Sequence, residues 1–228
     1  MITSSYSNMI DFPAGRGHAR GYLAVPEGGD VPGVLVLHAW WGLNSFFRKL
    51  CDRLAETGFV VLAPDLYHGK VASTINEAKR LRSKLKRAVV ERELIGATNY
   101  LRTTVATNER RIGVVGFSLG ANFGLRLATL RPEDVGAVVV FYGTRSENYR
   151  IAKAAFLGHF AEKDEWEPLE RVRKLEKAIG SAGREITFHV YPNTKHWFFE
   201  KNRLNAYNAR AAELAWQRTV RFLHAHLD

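Results

Sequence analysis

Arg111-Ile112-Gly113-Val114-Val115, followed without a break by Gly116-Phe117-Ser118-Leu119-Gly120, is an apolar run that ends in Gly-x-Ser-x-Gly. A helical segment rich in small residues comes next, so the serine falls on a strand-to-helix junction. That context predicts a nucleophile elbow, a tight turn that lifts a serine hydroxyl above the edge of a sheet. Small residues on both flanks let the backbone turn sharply without side-chain clashes. The pentapeptide alone also arises by chance in loops; the strand before it and an acid and base after it carry the argument.

Outward from this junction, strands and helices alternate. Gly33–Leu37 and residues 59–62 are continuous apolar runs, as expected of strands covered by helices on both faces of a parallel sheet. Between them Leu43, Phe46, Phe47, Leu50 and Leu54 recur at three- and four-residue spacing, a helix that Gly58 stops. Residues 10–26 predict a strand or two joined by a turn, and Glu27-Gly28-Gly29-Asp30 a polar loop. A long helical region is expected over residues 75–104. After the junction come a helix over 119–130, a strand over 137–142, a strand over 154–160, a helix over 168–179, a strand over 186–191 and a closing helix over 204–226. The alternation predicts an α/β fold, a three-layer sandwich around a mainly parallel sheet, with residues 1–228 forming a single domain.

Composition narrows the partners. A single cysteine, Cys51, read as a small core residue, allows no intrachain disulfide. The first eleven residues lack both a basic start and an apolar run, and no segment approaches the roughly 20 apolar residues that cross a bilayer. A soluble cytoplasmic protein is expected. The net charge of +10 is concentrated in Lys79, Arg80, Arg82, Lys84, Lys86, Arg87 and Arg92, interleaved with Leu81, Leu85, Val89 and Val90. This is the pattern of an amphipathic helix with a solvated basic face, and no nucleic-acid-binding motif accompanies it. Neither nucleic acid nor a membrane is an expected partner. The eight histidines show no metal-ligand spacing, so no metal is indicated.

A serine hydroxyl is a weak nucleophile at neutral pH, so Ser118 needs a base within hydrogen-bond reach and an acid to orient that base. Asp164 and His196 are the expected partners, in chain order acid then base. Asp164 stands just past the strand that starts near Ala154, and His196 just past the strand that starts at Ile186. All three candidates therefore lie at carboxyl ends of strands, where open α/β sheets collect their ligands. Glu162 could exchange roles with Asp164. Asp65 precedes the serine and is expected to satisfy nearby backbone amides instead. His159 reads as a packed residue, and His38 as a structural histidine beside the site that could line it. The oxygen that becomes negative during attack on a carbonyl needs donors, expected from the backbone amides of Leu119 and Trp40.

By its motifs the chain resembles the dienelactone hydrolase family. The matching residues are His38-Ala39-Trp40-Trp41-Gly42-Leu43-Asn44, Ala63-Pro64-Asp65-Leu66-Tyr67-His68-Gly69, Gly116-Phe117-Ser118-Leu119-Gly120, Glu162-Lys163-Asp164 and His196-Trp197, spread across nearly the whole chain. The resemblance implies an α/β-hydrolase fold without a large cap domain, a monomer without a cofactor, and hydrolysis of esters or lactones through an acyl-enzyme. Two departures stand out. Family members that open dienelactones carry cysteine at the position of Ser118 and glutamate at that of Ala39, and an arginine that binds the substrate carboxylate would stand at Glu200. A serine can use the His196 base directly, without a carboxylate to manage a thiol proton.

Trp40, Trp41, Tyr142, Trp197 and Phe198 all lie at or beyond strand ends near the proposed triad, which predicts an apolar, aromatic pocket, with His38 as a further lining residue. The expected partner is a small ester or lactone. A thioesterase or peptidase on the same fold, or a binding protein without catalysis, are the alternatives, since a triad activates a nucleophile without choosing a leaving group.

Overall fold

A computed structural model describes residues 5–28, 30–104 and 111–228; Gly29 of the polar loop and the first four residues of the N-terminal stretch lie outside them. Eight strands form one sheet in the order β1 (Tyr6–Ala14), β2 (Gly17–Val25), β4 (Val60–Pro64), β3 (Gly33–Leu37), β5 (Ile112–Phe117), β6 (Val135–Phe141), β7 (Ala155–Lys163) and β8 (Ile186–Lys195). The β1–β2 and β2–β4 pairings are antiparallel, and every pairing from β4 through β8 is parallel. The sheet is therefore mainly parallel, and the residues form an α/β-hydrolase fold.

Alternation along the buried strands sends side chains into two separate cores. Val34, Val36, Val115, Phe117, Val139 and Phe141 face a core closed by α1 (Ser45–Ala55) and α6 (Ala209–Leu227). Leu35, Leu37, Ile112, Val114, Val138 and Val140 face the other, closed by α3 (Arg87–Thr104), α4 (Leu119–Leu130) and α5 (Leu169–Ser181). Three layers result, with the sheet in the middle. Cys51 lies fully buried in the first core, where burial raises its thiol well above the usual range.

Element boundaries differ from the sequence expectation where local chemistry interrupts a period. The region 75–104 is two helices, α2 (Ile75–Ser83) and α3. Thr74 and Glu77 start α2 with a reciprocal capping box. Arg80 and Lys84, and Arg82 and Lys86, would repel at four-residue spacing in a continuous helix, and the Ser83 hydroxyl turns back to the Arg80 carbonyl. The cations Lys79, Arg80, Arg82, Lys84, Lys86, Arg87 and Arg92 are all exposed. The closing helix starts at Ala209 because the Asn208 side chain caps it, accepting from the Ala211 amide, while 200–208 run in successive turns. β7 and β8 run several residues beyond the expected ends and bring Lys163 beside Lys195. That extension places Asp164 and His196 side by side.

Candidate active site

β5 delivers Ser118 directly onto the first turn of α4. Its φ of +49° lies in the left-handed region, which non-glycine residues adopt at a cost of about 1–3 kcal/mol. The two glycines explain how the turn closes. A Cβ on Gly116 would stand 2.5 Å from the Gly120 carbonyl oxygen, and a Cβ on Gly120 would overlap the Leu37 carbonyl of β3. Gly120→Ala is therefore expected to lower stability by about 3 kcal/mol or more, since backbone cannot yield as a flexible side chain can. A urea midpoint equal to that of the wild type would contradict this packing.

The Ser118 Oγ lies 3.0 Å from His196 Nε2, and His196 Nδ1 lies 2.7 and 2.9 Å from the two Asp164 carboxylate oxygens. The side chains of His196 and Asp164 are 5% and 1% exposed, so the pair is shielded from water. Asp164 is itself held, since its Oδ1 accepts from the amides of Trp166 and Glu167, each at 2.9 Å. A carboxylate only accepts, so His196 Nδ1 carries the proton toward Asp164 and Nε2 keeps its lone pair for the serine hydroxyl. The row can take a proton from Ser118 and return it.

Ser118 opens into a cavity of 270 Å³ whose lining includes Trp40, Tyr142, Trp166, Trp197, Arg82 and Arg171. Leu119 also lines it, and no turn or loop hydrogen bond among the described residues is donated by the amide of Leu119 or Trp40. Trp40 touches Trp166, Trp41 and Trp197, with ring centroids 5.0, 5.7 and 6.2 Å away. Of the six non-glycine residues at positive φ among the described residues, Ser118, Tyr142 and Trp197 meet here around His196. Backbone strain of this kind gathers where geometry is fixed by its surroundings.

The remaining sequence candidates divide. Trp41 lines a neighbouring cavity of 580 Å³, which also has His196, Trp166 and Trp197 in its wall. Phe198 is fully buried against Tyr142 and Tyr191 and does not line the Ser118 cavity. His38 does not line it either: it is the structural histidine of the sequence reading and not the further lining residue. It is fully buried, with Nδ1 2.7 Å from the Ala39 carbonyl and Nε2 accepting from the Leu66 amide, and burial lowers its proton affinity. It therefore pins two loops as a neutral ring. His159 is likewise buried between the Tyr191 and Thr219 hydroxyls, its proton affinity pushed well down by burial. Asp65 accepts from the amides of Tyr67 and Gly69, and Glu162 from the Asn193 amide at the surface, so neither approaches His196.

Sequence reasoning missed Arg82, Trp166, Glu167 and Arg171. Arg82 reads only as part of the solvated basic face of its helix, and Trp166, Glu167 and Arg171 follow the Asp164 strand end with nothing local to mark them. Glu167 is held by the Thr144 amide and hydroxyl at 3.1 and 2.8 Å, and burial raises its carboxyl above the usual range. Among the described residues no helix is long and apolar enough to cross a membrane, and no group of three or more histidine, cysteine, aspartate or glutamate side chains is arranged to hold a metal ion.

The family model described as the dienelactone hydrolase family matches residues 19–227. "Protein usf" of Aquifex pyrophilus is 32% identical, over 96% of this chain and 98% of that protein. A protein of Aquifex aeolicus described as "Putative carboxymethylenebutenolidase" is 30% identical over the same shares. In structure, a "Putative Dienelactone Hydrolase" from Klebsiella pneumoniae superposes with a TM-score of 0.88 at 24% identity, covering 98% of this chain and all of that one. At that identity the superposition speaks for the fold alone.

Proposed function

Because the chain belongs to the dienelactone hydrolase family, we propose that it hydrolyses small carboxylic esters or lactones through Ser118, His196 and Asp164. The observation that carries this reading is the unbroken hydrogen-bonded row from Ser118 Oγ to the Asp164 carboxylate. Ser118 Oγ attacks the carbonyl carbon while its proton passes to His196 Nε2, and the carbonyl oxygen becomes an oxyanion beside the amides of Trp40 and Leu119. Collapse breaks the bond to the leaving oxygen, which takes the proton from His196. Water then gives a proton to the same nitrogen and attacks the acyl carbon; collapse frees the acid and returns the proton to Ser118. With a lactone the leaving oxygen stays tethered, and one ring-opened acid is released.

The substrate class follows from the cavity. Its 270 Å³ lies just under the common range for ligand pockets, about 300–1,000 Å³, which favours short acyl groups and small rings. Aromatic faces from Trp40, Trp166 and Trp197 suit a flat unsaturated group. Arg82 and Arg171 favour an ester or lactone that also bears a carboxylate, in keeping with the butenolide in the Aquifex aeolicus relative's name. A panel of p-nitrophenyl acetate, an unsaturated carboxylated lactone, a matched thioester and an anilide tests this. The oxygen esters and the lactone are expected to turn over fastest. Preference for thioester or anilide would move the activity to another leaving group, and no turnover by folded protein would leave a binding protein.

A further inference from the structure

Four residues after His196, Glu200 is fully buried. Its Oε1 accepts from the Tyr142 hydroxyl at 2.9 Å, and its Oε2 has no hydrogen-bond partner among the described residues. Nor does Glu200 belong to an ion pair among them. The neighbouring cation, Arg203, lies instead over the Trp41 ring, 3.4 Å from its centroid. A buried carboxyl without a full set of partners costs stability, and such groups concentrate at functional sites.

Tyr142 is the link between this carboxyl and the proposed base. It is fully buried, stands at φ +40° at the end of β6, and its ring packs on the His196 imidazole with centroids 4.8 Å apart. One end of the phenol is thus held by Glu200 while its ring supports the imidazole that faces Ser118. We infer that Glu200 is a positioning residue for His196, acting through Tyr142 to seat the imidazole and to supply negative charge behind the imidazolium formed when Ser118 gives up its proton. This rests on the hydrolase reading above.

The titratable and charged groups around Glu200 are Tyr142 and Arg203, with His196 and Asp164 across the phenol. Burial pushes the Glu200 carboxyl up to about 7, against the opposing pull of the Tyr142 hydrogen bond and the Arg203 charge. Burial and the neighbouring carboxylate hold the Tyr142 phenol well above its usual value, so it remains a donor. Glu200 consequently ionises near neutrality. Once ionised it strengthens the bond from Tyr142 and favours a charged His196. The sign is fixed: acylation gains from Glu200 above pH 7 and loses that gain as pH falls through 7.

The test compares wild type, Glu200→Gln and Tyr142→Phe, with p-nitrophenyl acetate as substrate and Ser118→Ala as the blank. At pH 8.5, Glu200→Gln is expected to lower kcat by about 3- to 10-fold with KM nearly unchanged, the size of losing one charge-assisted hydrogen bond behind the base. The NMR titration of His196 should move to lower pH in Glu200→Gln, with Tyr142→Phe shifting it in the same direction. An unchanged titration and kcat in folded Glu200→Gln would overturn the inference. If that variant does not fold, Tyr142→Phe, which keeps the ring, decides by the same two readings. If hydrolysis proves independent of Ser118, the hydrolase reading fails, while the His196 titration still decides the coupling.

Discussion

Replacing Ser118 with alanine is expected to remove ester hydrolysis, with kcat falling by about 10⁵-fold or more. The hydroxyl is the nucleophile of the proposed reaction, and among the described residues His196 Nε2 makes its side-chain hydrogen bond to that oxygen, at 3.0 Å. Folding should hardly notice. Alanine takes the same left-handed backbone as serine, and the Ser118 amide still donates to the Phe141 carbonyl at 2.9 Å. A denaturation midpoint corresponding to a change within about 0.5 kcal/mol would separate loss of chemistry from loss of structure. Full activity in Ser118→Ala would remove serine from the mechanism.

Asp164→Asn should lower kcat by about 10⁴-fold, through the wrong tautomer of His196. The reason lies in how the carboxylate is shared. Asp164 Oδ1 already accepts from the amides of Trp166 and Glu167, so an asparagine would keep its oxygen there and turn its NH₂ toward His196 Nδ1. Nδ1 would then have to accept, moving the ring proton to Nε2, opposite the serine that needs a base. Glu162→Gln serves as the control and should retain activity, since Glu162 binds the Asn193 amide away from His196. If Glu162→Gln lost activity and Asp164→Asn kept it, the acid would be misassigned.

The legible part of the fold followed from the buried strands. Runs such as Gly33–Leu37 and Ile112–Phe117 are apolar on both faces because helices cover both faces, and that pattern needs no tertiary knowledge. Ser118, Asp164 and His196 could be chosen because each directly follows such a strand or its extension. The break between α2 and α3 was harder to see, because like charges and a serine disturb a helix without changing its apolar period.

Side-chain direction was the other gap. His38 stands in the same segment as Trp40, yet its ring points into the core and binds the Leu66 amide. Trp166 is remote in sequence from Trp40 and meets it only when the loop after β7 folds back over the site. Glu200 carried a visible signal, a glutamate four residues after His196, but nothing local revealed that it would be fully buried beneath Tyr142.

The most direct test of the central claim is to trap the acyl-enzyme. Wild type mixed with p-nitrophenyl acetate, quenched in acid during the first turnover and digested, should show one acetyl group on the peptide containing Ser118 by mass spectrometry. The same experiment with His196→Ala should show almost none, because the serine keeps its proton. Rapid hydrolysis with no adduct on Ser118, or with the acetyl group on another residue, would contradict the account.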